Sequence, residues 1–241
     1  ALKSFQGKIS LSDLKSALVR RGDQHSAQVK VVSLTQPTEL GTCYSLKELQ
    51  EISEWCKKEN LYLHIDGARL SNAVLFLKTT FKQMITDIGA DILSFGGTKN
   101  GLMFGEAILV FNESLKKNFK YIRKQSAQLP SKSRFIAAQF EAYLSNDLWM
   151  KIAEHSLQMA ESLALGLKKL SKYEITCERF TVAMQAFTAS CKLRSSSSSP
   201  FCSTFCLISA CASSALILLM RSPSSSRMPA STAGPTSTAW R

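Results

Sequence analysis

Acidic residues stop at Glu178. From Arg179 to Arg241 there is no Asp or Glu, while Arg179, Lys192, Arg194, Arg221, Arg227 and Arg241 remain, so this stretch supplies half of the formal net charge of +12. The excess is therefore not a basic stripe laid across a folded surface. The other basic residues sit as pairs on expected helix faces, such as Lys57-Lys58 and Lys116-Lys117, without interleaved aromatics. That pattern argues against a nucleic-acid-binding role. Histidine is scarce, with three in the chain, and none lies near a cysteine. The seven cysteines form no CxxC pair, so no metal site is expected, and they read as reduced thiols of a cytoplasmic protein. Position 1 is Ala1 rather than Met, with no signal peptide ahead of the first expected helix.

What is present is an alternation of helical and extended patterns over the first hundred residues. Ser10 to Val19 has Leu11, Leu14 and Leu18 at helical spacing, and Gln28 to Leu34 is a valine-rich strand. The polar loop from Thr35 to Thr42 follows at that strand's carboxyl end. Ser45 and Glu48 form a capping box ahead of Leu46, Leu49, Ile52 and Trp55, the buried stripe of the next helix. Strands are expected at Leu61 to Ile65, Asp91 to Phe95 and Glu106 to Phe111, and a helical segment from Phe81 to Ile88 ends at Gly89. This order predicts an α/β protein with a mainly parallel sheet covered by helices.

From Asn112 to about Leu170 the pattern is helical. Phe135, Ala138, Gln139 and Ala142 are expected on one face, then Leu148, Ile152, His155, Met159 and Leu163 on another. The expected organisation is a partial large domain over 1–145, a linking helix and the start of an incomplete small carboxyl-terminal domain over 146–190, and a Ser/Cys/Ala-rich tail over 191–241. The tail reads as disordered, as aberrant in reading frame, or as a membrane span over Phe201 to Met220. Small polar residues dilute that run, which weighs against a span.

Two segments carry the chemistry. Leu63-His64-Ile65-Asp66-Gly67-Ala68-Arg69 and Leu93-Ser94-Phe95-Gly96-Gly97-Thr98-Lys99-Asn100-Gly101 each run from an apolar strand into a turn bearing a charged group. In open α/β sheets, ligands collect outside the carboxyl ends of the strands, so Asp66 and Lys99 are expected to converge on one small molecule. An amine and a carboxylate in that relation suit pyridoxal 5'-phosphate. The lysine forms a Schiff base, and the carboxylate keeps the ring nitrogen protonated. Strand alternation puts His64 on the side of Asp66, within reach of its carboxylate or of a ligand. A structural role for each remains open at this point: Asp66 as a helix cap, Arg69 as a surface ion pair, His64 as a core histidine.

Four segments in order resemble low-specificity L-threonine aldolases of the β-eliminating lyase group. They are Val32 to Thr42, His64 to Ala73, Ser94 to Gly101 and Arg134 to Leu144. The resemblance covers about the first three quarters of the chain and implies a partial fold-type I pyridoxal-phosphate large domain, whose amino-terminal part is not represented. It implies that Lys99 anchors the cofactor, that Asp66 faces the pyridine nitrogen and that Arg69 lies near the ring oxygen. His64 and Thr98 are further cofactor contacts, and Glu39 is the candidate base. Lys99 is expected in a partly desolvated setting near cationic groups, which favours its neutral amine. The implied activity is cleavage of L-threonine or L-allo-threonine to glycine and acetaldehyde by a cytoplasmic homo-oligomer. Alternatives are an inactive fragment of such an enzyme, an aminotransferase or another β-eliminating lyase.

Overall fold

A computed structural model describes residue 2, residues 4–169 and the short strands at 173–175 and 191–193. The division expected at 145 falls in the described turn between the helices Arg134–Leu144 and Leu148–Lys168, whereas that at 190, most of the tail and the Phe201 to Met220 run lie outside the described residues. Among those described, no helix is long and apolar enough to cross a membrane.

The chain opens with a short helix α1, Leu11–Ala17, whose Ser10 Oγ accepts the Asp13 N–H at 3.1 Å. Strand β1, Val31–Thr35, leads through the Gln36 to Cys43 loop to helix α2, Leu46–Lys58. The capping box forms as expected. Glu48 N–H donates to Ser45 Oγ at 3.2 Å, and Ser45 N–H donates to Glu48 Oε2 at 2.7 Å, which removes two orphan donors at the helix start. Leu49, Ile52 and Trp55 are buried, with Ser53 and Cys56 beside them, while Leu46 packs at the edge of the core.

Strand β2, Tyr62–Gly67, helix α3, Leu70–Phe76, and strand β3, Ile92–Gly96, complete the parallel part. The expected helix before β3 is a single π-helical turn, Lys82–Thr86, ended by Gly89 at φ +80°. Strand β4, Glu106–Val110, pairs antiparallel with β3. The sheet order is β1-β2-β3-β4, with β1, β2 and β3 mutually parallel.

The mainly parallel sheet covered by helices is as expected, and the strand order sets which face the crossover helices take. Right-handed crossovers between successive neighbouring strands all pass over the same face, so α2 and α3 cover one side. Val32, Leu34, Leu63, Ile65, Leu93 and Phe95 are buried there with Leu49, Ile52, Leu70, Val74 and Met84. The alternate residues Ser33, His64, Asp66 and Ser94 occupy the opposite, half-open face. Each fully buried Leu or Ile contributes about 1.5–3 kcal/mol, so the covered face holds the sheet together.

Helices α4, Glu113–Lys116, α5, Phe119–Gln125, α6, Arg134–Leu144, and α7, Leu148–Lys168, follow β4. A two-stranded pair, β5 Tyr173–Ile175 and β6 Cys191–Leu193, comes last. Both expected stripes on α6 and α7 are corrected. In α6 the inward residue is Tyr143, with Phe140 packed against the core, and Phe135 is 60% exposed. In α7 the buried residues are Ala153, Ala160 and Ala164, while Met159 and Leu163 are exposed. Small side chains admit a close approach of α7 to α3, and the larger apolar residues are left outside.

Candidate active site

The site is built where β2 and β3 end together. Asp66 pairs in register with Thr35 of β1 and with Ser94 of β3, and Gly96, two residues on, lies opposite Glu106 of β4. Directly opposed residues share a sheet face, and so do residues two apart. Asp66, Ser94, Gly96 and Glu106 therefore present one face, and it is the half-open one.

Asp66 Oδ1 accepts the Ala68 N–H at 3.1 Å, which turns the chain toward α3. This is part of the capping role expected of a lone aspartate, but Arg69 occupies the N-cap position of α3 with no side-chain cap there. No donor reaches Asp66 Oδ2 among the described residues. Lys99 lies on a 3-10 turn, Thr98–Asn100, immediately after β3. Its amine is exposed and has no hydrogen-bond or ion-pair partner among the described residues. Among the described residues no cation makes an ion-pair or hydrogen-bond contact with it, unlike the partly desolvated, cation-rich setting expected. The charged groups it meets are carboxylates: Asp66 and Lys99 both act on Glu106, which places the three in one electrostatic neighbourhood.

The Lys99 turn is fixed from behind. Asn100, 3% exposed, donates from Nδ2 to Tyr143 Oη at 2.6 Å and to the Trp149 carbonyl at 3.0 Å. The Tyr143 hydroxyl also pairs with Ser71 Oγ at 2.6 Å. The helix that follows Asp66, the turn that carries Lys99, and α6 thus meet at one phenol, and α7 joins them through Asn100. Burial raises the Tyr143 pKa against the lowering effect of these two bonds, so it stays a neutral hydroxyl. Phe95 packs beside it, with Phe81, Phe140 and Trp149 in an aromatic cluster. Gly97 lies directly against the Leu102 side chain, which would have to move to admit a Cβ there.

The other expected residues are placed as follows. Arg69, 6% exposed, donates to Glu39 Oε1 from Nη1 at 3.1 Å and to Oε2 from Nη2 at 3.4 Å. Glu39 is thereby engaged as a partner of arginine. Its loop is held by Gln36, fully buried, which exchanges two 2.9 Å hydrogen bonds with the Tyr44 backbone. His64 does not bond the Asp66 carboxylate. Its Nδ1 meets Ser33 Oγ at 2.7 Å and its Nε2 meets Ser94 Oγ at 2.9 Å, one hydroxyl from each flanking strand. Burial lowers its pKa, opposed by Asp66, and favours the neutral ring. Thr98 is exposed, with its hydroxyl 3.4 Å from the Gly105 carbonyl.

Glu106 and Tyr143 were missed. Glu106 opens a strand after Gly105 and resembles an ordinary turn charge until the register sets it opposite Gly96. Tyr143 closes an apolar helix, and its only sequence signal was its place within Arg134 to Leu144.

Comparison with known proteins gives the same reading over most of the chain. Residues 1–188 match the family model of beta-eliminating lyase. A low specificity L-threonine aldolase of Pseudomonas aeruginosa is 45% identical over 158 residues, which is 66% of this chain and 46% of that protein. A low specificity L-threonine aldolase of Saccharomyces cerevisiae is 32% identical over 157 residues, 65% of this chain and 40% of that one. Among solved structures, the threonine aldolase of Leishmania major superposes with a TM-score of 0.68 at 33% identity, covering 73% of this chain and 51% of that chain. The chain thus spans about half the length of the curated relatives it matches. With the model match extending over more than three quarters of its residues, the chain belongs to the beta-eliminating lyase family.

Proposed function

We propose that the open face of the sheet is a pyridoxal 5'-phosphate site of the threonine aldolase type, acting on L-threonine or L-allo-threonine to release glycine and acetaldehyde. The observation that carries this is the Lys99 amine and the Asp66 carboxylate, both with unused capacity, at the carboxyl ends of adjacent parallel strands. The residues fit the cofactor. An exposed primary amine on a pinned turn suits a covalent anchor for an aldehyde, and a carboxylate oxygen without a donor suits a protonated ring nitrogen. When bound, the ring supplies an electron sink for the bond-breaking step.

The chain's own residues then divide the work. Lys99 anchors and releases, held at its base by Asn100 and Tyr143. Asp66 holds a proton at the ring nitrogen. Arg69, oriented by Glu39 at 3.1 Å, offers its remaining donors to an oxygen on the ring. His64 bridges Ser33 and Ser94 beneath Asp66 as a neutral spacer, and Thr98 lies beside Lys99 as a further contact. Glu39, the base candidate that the resemblance implies, holds Arg69 through both carboxylate oxygens and is not free to take the substrate proton while that pair stands. Exposed Met103, Phe104 and Phe135 near the Lys99 turn suit a contact between subunits of a homo-oligomer, and the threonine aldolase relatives suit a cytoplasmic amino-acid enzyme.

The full chain with added cofactor should show the visible absorbance of lysine-bound pyridoxal phosphate, and Lys99→Ala should abolish it. Threonine should then yield glycine, whereas keto-acid formation would indicate an aminotransferase. Since the chain spans about half of each relative, a second reading is a remnant that binds the cofactor without turnover. Absorbance without glycine release supports that reading.

A further inference from the structure

We infer that Glu106 is the base that takes the proton from the β-hydroxyl of the amino-acid substrate. This deepens the function proposed above and rests on it. The carboxylate candidate nearest in sequence to the expected position, Glu39, is already bound on both oxygens by a buried guanidinium. Glu106 is different. Neither of its carboxylate oxygens has a hydrogen-bond donor or a cation in ion-pair contact among the described residues.

Register fixes which way it faces. Glu106 lies opposite Gly96, and Asp66 opposite Ser94, so the two carboxylates share the open face of the sheet. The absence of a side chain at Gly96 leaves room there for the Ala68 backbone and the Glu106 carboxylate. The point that a Cβ would occupy there is 2.7 Å from Ala68 Cα and 3.0 Å from Glu106 Oε2. The carboxylate thus sits against the turn that Asp66 caps and within the field of Lys99. Partial burial of the carboxyl and the negative charge of Asp66 raise its pKa, with Lys99 opposing, and a raised carboxyl is better matched to proton transfer near neutral pH.

The step balances. The hydroxyl O–H bond breaks and its pair forms the aldehyde C=O. The Cα–Cβ pair moves onto Cα, and the proton goes to Glu106. Protonation at Cα gives glycine, and Glu106 returns its proton to solvent.

Two experiments on the full chain test this. In the unloaded protein, carbon NMR titration of the Glu106 carboxyl, assigned by its loss in Glu106→Gln, should give a midpoint above that of an ordinary glutamate. Asp66→Asn should lower that midpoint and Lys99→Met should raise it further. An ordinary midpoint indifferent to both substitutions overturns the inference. With cofactor added, Glu106→Gln should keep the Lys99-dependent absorbance, while the ratio of threonine cleavage to α-hydrogen exchange of glycine falls by about 10²-fold or more. An unchanged ratio overturns the inference, and so does loss of the absorbance, which would make Glu106 a cofactor ligand. If the unsubstituted chain shows no such absorbance, the parent reading fails and this one falls with it.

Discussion

Replacing Tyr143 by Phe removes one oxygen and leaves the ring in its aromatic cluster. The hydroxyl makes two bonds of 2.6 Å, to Ser71 Oγ and from Asn100 Nδ2, and all three residues are at most 3% exposed. Asn100 keeps its bond to the Trp149 carbonyl at 3.0 Å, but Ser71 loses the one hydrogen-bond partner its hydroxyl has among the described residues. A buried hydroxyl left without a partner costs about 1–3 kcal/mol. Against a total stability of about 5–15 kcal/mol for a domain, that is a large fraction. Urea denaturation followed by far-UV circular dichroism should show a lower midpoint with an unchanged slope. Adding Ser71→Ala to Tyr143→Phe should recover part of the loss, because deleting both partners removes the stranded group. The reasoning is refuted if Tyr143→Phe lies within about 0.5 kcal/mol of the parent, the range of ordinary surface changes, or if the second substitution recovers nothing. Cofactor affinity, read from the Lys99-dependent absorbance, should fall in parallel, since the phenol anchors the turn next to Lys99.

Gly96→Ala should destabilise by about 1–3 kcal/mol, because its Cβ meets the Ala68 backbone at 2.7 Å and 2.9 Å and backbone yields poorly. The same variant should weaken cofactor binding by displacing the turn after Asp66. Ser45→Ala breaks the capping box of α2 and should lower stability by about 1 kcal/mol, measured by the same denaturation. Glu39→Gln leaves the guanidinium of Arg69 buried beside a neutral amide. Glu39 is partly open to solvent, so the loss should fall below the about 3–5 kcal/mol of a fully buried pair. For pH, burial lowers the His64 pKa on folding, so the unfolded chain binds more protons. The contribution is present above the unfolded value of about 6.5 and is lost as pH falls through the lower folded value. Denaturation midpoints measured on the acid side of neutrality should therefore depend less on pH in His64→Gln than in the parent.

The parallel strands and the residues at their ends were legible because strand alternation and turn chemistry are local. Asp66 and Lys99 each follow an apolar run directly, and the Ser45 and Glu48 spacing alone specifies the cap of α2. What was not legible depends on contacts distant in sequence. Arg69 and Glu39 are 30 positions apart, and their pairing removes the most obvious base from the free carboxylates. Glu106 takes its meaning from an antiparallel register that no local pattern encodes. The faces of α6 and α7 were misjudged for another reason. Apolar residues lie on several sides of α7, and the buried side was chosen by the room beside α3, which takes Ala153, Ala160 and Ala164 rather than Met159 and Leu163.

The two faces of the sheet differ in polarity, and the proposed site lies on the polar one. Strands of a parallel sheet ordinarily read as continuous apolar runs, because helices cover both faces. Here β1, β2 and β3 alternate instead. One face carries Val32, Leu34, Leu63, Ile65, Leu93 and Phe95, and the other carries Ser33, Thr35, His64, Asp66 and Ser94. The second set would be a poor seat for an apolar helix, since burying its hydroxyls, imidazole and carboxylate without partners would cost several kcal/mol. Part of it is satisfied internally, through the Ser33, His64 and Ser94 bridge across three strands. The part left unsatisfied is at the carboxyl ends, where Asp66, Glu106 and Lys99 stand together. Unpartnered charges at that one edge are what the proposed site requires, since a polar ligand bound there would supply the partners that the described residues do not.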